Sequence, residues 1–482
     1  MTLLSQVSRE CQLYHLYYSF ISQENHSNSN AQMHTRTFSN INTRKPTLEH
    51  RYFNSKTRTV LYAISKSDAD AEPLRVWSSV DDDEDNIGQC FAEHNKHVWY
   101  LLTRDRESEN LSLSRVSHSD VCQGQIVRDV VVPNRSDVVI EDMDMFRDVC
   151  VLYERKIDGG ARVSVLDMKN DEPPMEVDSL PNGTYVIRPA PNAEFLASQI
   201  RFTCSGPSLP PTLCTYSFSS NTVSFDDEIS SSSDYVTYRE YVPSKDGTLV
   251  PVTVTHHKEL KRDGSNPTLL TGYGAYGIPF EIDHCVGRST LLNRGWVVAI
   301  AHVRGGGDLG TNWHNEGRLM KKRNSFDDFA HCAKWLISKN LTSSRKLCAS
   351  ASSAGALLLG VCANEYPGLF RAMVLQVPFL DVVSEMSDPS LPLTQHEYEE
   401  WGDLSRDERV RDYVQGWCPV SNVCAQDYPA MLITTSLHDE HVSWTHAAKW
   451  AQSVQRLSTS NEPVLLRIDH DGTGHYGSGG RT

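Results

Sequence analysis

The stretch Lys346-Leu347-Cys348-Ala349-Ser350-Ala351-Ser352-Ser353-Ala354-Gly355-Ala356-Leu357-Leu358-Leu359-Gly360 constrains the fold of this chain more than any other. It opens on small and apolar residues, crosses a cluster of very small ones and leaves on an apolar run of good helix formers. That is the outline of a strand, a tight turn and a helix. The serine at the turn, with Gly355 two positions on, makes a relaxed form of G-x-S-x-G, the elbow that presents a nucleophilic serine. So sharp a turn forces the serine into a strained backbone conformation and leaves no room for large neighbours. Ala351 and Gly355 take the flanking positions if Ser353 is the nucleophile. A purely structural strand-to-helix turn also favours Ser, Ala and Gly, so the serine needs partners elsewhere in the chain.

From about residue 236 the texture is α/β. Tyr238 to Thr255 reads as a hairpin turning at Lys245-Asp246-Gly247. Thr268-Leu269-Leu270, Trp296 to Ile300, Ala372 to Gln376, Ala430 to Thr435 and Val464 to Ile468 are continuous apolar runs, as in strands buried on both faces. Alternation with helical periods, as at Asp327 to Leu336, predicts a doubly wound, mostly parallel sheet. Such sheets build their sites in loops beyond the carboxyl ends of the strands. Two such loops supply the acid and the base in the order an elbow serine needs. Asp439 follows the strand at 430–435, and His475 lies in the glycine-rich loop after 464–468. Ser353, Asp439 and His475 are the expected nucleophile, acid and base. His470 competes with His475 but lies closer to the strand end. His438 and His441 flank Asp439 without a known zinc-ligand spacing and are expected to be loop residues.

Before this region the pattern is different. Short alternating runs predict strands near 59–64, 97–102, 130–132, 149–154, 162–166, 194–198 and 213–218. Turns such as Asp158-Gly159-Gly160 and Leu180-Pro181-Asn182-Gly183 separate them, which indicates an all-β domain. A propeller is the leading choice, with a sandwich as the alternative. The available length holds about four blades of the usual repeat. The acidic run Asp81 to Asp85 lacks an EF-hand spacing and reads as a solvated loop. Ser230 to Ser233 marks the expected boundary. Residues 1–55, including the polar run Asn25 to Asn30, are expected to be poorly ordered. The domains are thus 1–55, 56–235 and 236–482.

The totals exclude several functions. A net charge of −15 disfavours nucleic acid and anionic membranes as partners. No run of about 18 apolar residues predicts a transmembrane segment, and residues 1–22 lack the pattern of a secretory signal. The 12 cysteines contain no C-x-x-C pair, so reduced thiols are expected. Cys204 and Cys214 could sit on adjacent strands. A cytoplasmic location is expected; the Ser/Asn-rich, acid-poor first fifty residues keep a mitochondrial address as the alternative. No cofactor and no metal is expected.

Together these motifs resemble the prolyl oligopeptidase family of serine peptidases, in its oligopeptidase B and prolyl endopeptidase-like subgroup. The resemblance rests on Ser244-Lys245-Asp246-Gly247, Gly272-Tyr273-Gly274-Ala275-Tyr276-Gly277, His302-Val303-Arg304-Gly305-Gly306-Gly307-Asp308-Leu309-Gly310 with Trp313, the elbow, the Asp439 loop and Gly474-His475. It implies an α/β-hydrolase domain preceded by a β-propeller that caps the site. It implies an oxyanion hole made by the Tyr273 hydroxyl and the Ala354 N–H. It also implies that Glu397 and Glu399 form an acidic pair that selects Arg or Lys; a solvated acidic helix face is the competing reading. For Arg304 a structural ion pair is favoured over a loop-orienting role. Two family glycines are replaced by Ala351 and Ala356, and the chain has room for about four blades where the family has seven. The resemblance therefore implies a truncated propeller and a missing terminal helix. The expected function is hydrolysis of short peptides, or of ester or thioester bonds, through an acyl-enzyme on Ser353. The alternative is a catalytically weak member that acts by binding or regulation.

Overall fold

The change from alternating to continuous apolar runs corresponds to a change from small antiparallel sheets to one large parallel one. In the computed structural model the described residues are 128–170, 172–178, 184–192, 194–226, 234–470 and 474–475, with residue 180, the segment 110–123 and, earlier in the chain, the strands named below. Strands β1 to β4 are His34–Arg36, Leu48–Ser55, Arg58–Ser65 and Leu74–Ser78. Strands β5 to β8 are Cys90–Asn95, Val98–Thr103, Ser112–Ser117 and Asp129–Val132. Next come β9 to β12, at Val138–Met145, Val149–Lys156, Ala161–Asp167 and Met175–Glu176, and β13 to β16, at Val186–Pro189, Gln199–Gly206, Leu209–Ser217 and Thr222–Phe225. Each set of four makes one sequential sheet, the unit of a propeller blade. Local chemistry sets the hairpins. Between β10 and β11, Gly159 takes φ +95°, and the Asp158 carboxylate accepts the Gly160 N–H at 2.9 Å.

Three expectations for this region need correction or placement. β1 and β2 lie before residue 56, within the segment expected to be poorly ordered. Leu48–Ser55 pairs along its whole length with β3 as an adjacent hairpin. Glu194 to Ser198 is a turn, closed by the Ala197 N–H on the Glu194 carbonyl at 3.2 Å, and not a strand. Its Leu196 is exposed, so the short apolar run has no sheet face to bury. The runs Asn25–Asn30, Asp81–Asp85 and Ser230–Ser233, and the centre of the turn at 181–183, lie outside the described residues. Cys204 and Cys214 do sit on the paired strands β14 and β15, both buried, with their sulfurs 3.5 Å apart.

The large sheet begins with the hairpin β17 (Tyr235–Pro243) and β18 (Leu249–His257). It continues with β19 (Thr268–Thr271), β20 (Val297–Ala301), β21 (Leu347–Ser352), β22 (Ala372–Gln376), β23 (Ala430–Ser436) and β24 (Val464–Asp469). Their order in space is β17-β18-β20-β19-β21-β22-β23-β24, and every pair from β20 onward is parallel. All five residues of β20 are buried, as a central strand covered on both faces requires. The helices Arg323–Ser338 and Ala356–Glu365 share one apolar core with the sheet. Toward the β24 edge the covering thins: Leu432 and Leu465, paired in register, are 40% and 57% exposed. No helix among the described residues is long and apolar enough to cross a membrane.

Arg304 ties the loop after β20 to its neighbours. The side chain is 3% exposed and donates to both oxygens of buried Asp328, at 2.6 and 2.9 Å, and to Asp246 at 2.6 Å. Its own N–H and the Ser244 hydroxyl also go to Asp328. The guanidinium holds the Asp246 carboxyl down at about 2. Gly305 follows at φ +93°, where a β-carbon would lie 2.2 Å from the Gly274 carbonyl oxygen. The 272–277 and 304–310 loops therefore interlock backbone to backbone. Removing one partner from a buried ion pair costs about 3–5 kcal/mol. Arg304→Met is accordingly expected to destabilise the protein by about that amount. Urea unfolding followed by tryptophan fluorescence checks it; an unchanged midpoint would remove Arg304 from the framework.

Candidate active site

The turn after β21 is strained in the way the elbow pattern requires. Ser353 has φ +54°, in the left-handed region that non-glycine residues seldom occupy. The Phe379 N–H donates to the Ser353 carbonyl at 3.1 Å. Gly355 leaves little room: a β-carbon there would stand 3.0 Å from Tyr273 Cδ2 and 3.1 Å from the Gly272 carbonyl oxygen. Tyr273 is thereby packed onto the elbow, beside buried Ala354. The two replaced glycines are elsewhere. Ala351 lies inside β21, and Ala356 opens the following helix at φ −65° and ψ −16°. Both are conformations any residue adopts, so the methyl groups add no backbone strain.

The loops after β23 and β24 converge on this serine. His475 Nε2 is 3.0 Å from Ser353 Oγ. On its other side, His475 Nδ1 lies 2.8 and 3.0 Å from the two Asp439 carboxylate oxygens. The Asp439 side chain is fully buried and also accepts the N–H groups of His441 and Val442, each at 2.9 Å. A carboxylate can only accept, so Nδ1 carries the proton and Nε2 accepts from the serine hydroxyl. That is the tautomer a general base needs. His470 and His438 are exposed, whereas the His441 ring meets His475 edge-on at 5.1 Å between centroids.

Beside the serine is a narrow pocket with a cavity volume of about 20 Å³. Tyr276, Phe379, Met386, Leu393 and Val442 supply its apolar walls, and Glu385 and Glu397 supply two carboxylates. Glu397 Oε2 accepts from the Tyr276 hydroxyl at 3.1 Å and from Trp401 Nε1 at 2.9 Å. Burial pushes the Glu397 carboxyl up to about 7, against those two hydrogen bonds and with Glu400 and Glu385 adding repulsion. The expected pair with Glu399 is not formed. Glu399 is exposed and lies outside the pocket, because the short helix Tyr398–Trp401 turns it to solvent. Glu400 points inward instead and pairs with Lys322 and His314. Glu385 was missed by sequence reasoning. The available signal was its place on the short helix Val382–Ser387, just beyond the carboxyl end of β22.

Comparison with known proteins agrees with this architecture. The profile of the Prolyl oligopeptidase family matches residues 286–482, and that of its N-terminal beta-propeller domain matches residues 52–228. Prolyl endopeptidase-like from Xenopus laevis is 34% identical over 366 residues, 73% of this chain and 49% of that protein. Dipeptidyl aminopeptidase BI from Pseudoxanthomonas mexicana is 33% identical over 402 residues, 81% of this chain and 54% of that one. This chain spans about half the length of these relatives. Among solved structures, oligopeptidase B from Trypanosoma brucei with covalently bound antipain superposes with a TM-score of 0.80 at 29% identity, covering 89% of this chain and 61% of that one. Oligopeptidase B from Leishmania major gives 0.80 at 26% identity, covering 92% and 62%. With its propeller-type sheets, parallel hydrolase sheet and strained serine turn, the chain belongs to the prolyl oligopeptidase family.

Proposed function

We propose that this chain is a serine peptidase that cleaves short peptides after a basic residue through an acyl-enzyme on Ser353. The observation that carries the reading is the unbroken chain of hydrogen bonds from Ser353 Oγ through His475 to Asp439. Ser353 Oγ attacks the scissile carbonyl carbon as its proton passes to His475 Nε2, and Asp439 stabilises the imidazolium. The oxyanion so formed is held by the Tyr273 hydroxyl and the Ala354 N–H. His475 then gives its proton to the leaving amine. Water repeats the sequence on the ester and frees Ser353. A protein that acted by binding alone would have no use for this tautomer or for the backbone strain at Ser353. The same machinery accepts esters and thioesters, so substrate choice rests with the pocket. Its carboxylates and apolar walls suit the long stem and cationic head of Arg or Lys.

Two outcomes test this reading. Ser353→Ala is expected to abolish labelling by a fluorophosphonate probe. Tyr273→Phe is expected to keep labelling but lower kcat by about 10²–10³-fold, as loss of one oxyanion donor does. Full activity in either variant would refute the role assigned to that residue. The second outcome concerns pH. Below about 7 the Glu397 carboxyl is protonated and neutral, and above it the group is charged. Selectivity for Arg over Leu at the cleaved position should therefore rise as pH passes upward through about 7. The ratio of the two kcat/KM values cancels the titration of the shared triad. Glu397→Gln should flatten that ratio; a ratio independent of pH in the unaltered protein would count against Glu397.

A further inference from the structure

The pocket holds a second carboxylate that no motif pointed to, and its hydrogen bonds define its charge. Glu385 Oε2 lies 3.1 Å from Nε2 of His446, whose ring is buried on the helix Trp444–Leu457. The other ring nitrogen, Nδ1, faces the backbone N–H of Asp381 at 3.5 Å. A backbone N–H can only donate, so Nδ1 is the acceptor and the ring's proton sits on Nε2, directed at Glu385. His446 is thus a neutral donor to Glu385 and does not cancel its charge. The nearest lysine of the same helix, Lys449, is engaged 2.5 Å from Asp381. Among the described residues, no lysine or arginine lines the pocket.

Resting on the peptidase reading above, we propose that Glu385, oriented by neutral His446, is a specificity-determining residue that pairs with the cationic head of an Arg or Lys side chain in this pocket. The segments 379–386, 393–397 and 441–442 meet Tyr276 and Ser353 to form the pocket. Glu397 and Glu385 both line it, so a cation held there has two carboxylates within one pocket. Glu397 is clamped in position by Tyr276 and Trp401. Glu385 has a single ring donor, and its side chain is 19% exposed at the pocket. It is the carboxylate able to adjust to a longer or shorter cation. Repulsion between the two is already registered at Glu397, and a bound cation relieves it.

Peptides carrying Arg or citrulline at the cleaved position make the test, because citrulline keeps the shape and loses the charge. In the unaltered protein kcat/KM should favour Arg by about 100-fold or more, in line with loss of a charge-assisted hydrogen-bonded pair. Glu385→Gln should lower that ratio by about tenfold or more, chiefly through KM for the Arg peptide. Glu385→Ala, which also removes the hydrogen bond to His446, should show the same direction and provides a second reading should the Gln variant fold poorly. A ratio undiminished in these variants, or an equal loss on both peptides, would overturn the role of Glu385. Absence of fluorophosphonate labelling in the unaltered protein would instead overturn the peptidase reading on which it rests. A labelled protein that cleaves Arg and citrulline peptides equally would leave the hydrolase standing and refute the cation pocket.

Discussion

A residue with a β-carbon stays in the left-handed region only where its surroundings make every alternative worse. Ser353, at φ +54°, is such a residue, and the rest of the site depends on it. In the extended conformation of Ser352 its side chain would instead project from a face of the sheet, as strand side chains do. The restraint comes from the neighbours. β21 is paired on both sides, the Phe379 N–H holds the Ser353 carbonyl, and Tyr273 fills the space against Gly355. Local strain is thereby balanced by packing spread over several strands.

The same economy of placement explains what could be read in advance. Ser353, Asp439 and His475 each follow an apolar run of strand length, and the chain order restricts which residues can meet. The structure brings these three together. Tyr273 and Ala354 adjoin the same turn, and both were expected from the family resemblance alone. The carboxylates were harder. Glu397 and Glu399 are two residues apart, a spacing that places both on one face only in a strand. The segment is instead a 3-10 turn running into a short helix, which sends Glu397 to the pocket, Glu399 to solvent and Glu400 to Lys322. Glu385 could not be found from spacing at all. Its relation to Glu397 exists only once the helix Val382–Ser387 and the turn Thr394–Glu397 have packed around one pocket.

The amino-terminal sheets show a related limit. Strands β5, β9 and β13 begin at residues 90, 138 and 186, an even spacing of 48 residues. Yet the strands share only alternation, not a repeated sequence signature. Alternation reports that one face is buried. It does not report which short run, such as Glu194 to Ser198, lacks a neighbour to pair with.

One contact between the two kinds of sheet has a mechanical consequence. Arg155, in β10, donates to the main-chain carbonyls of Gly307 and Asp308. Asp308 in turn holds the buried imidazole of His302 at 2.6 Å, and Arg239 reaches back from β17 to the Ile157 carbonyl. A blade residue is therefore a latch on the very loop that Arg304 anchors. Swinging the blades outward would strip donors from these carbonyls and leave a positive charge seeking water in the cleft. The blade and the loop that Arg304 anchors thus share one set of fastenings, so that moving either one strains the other.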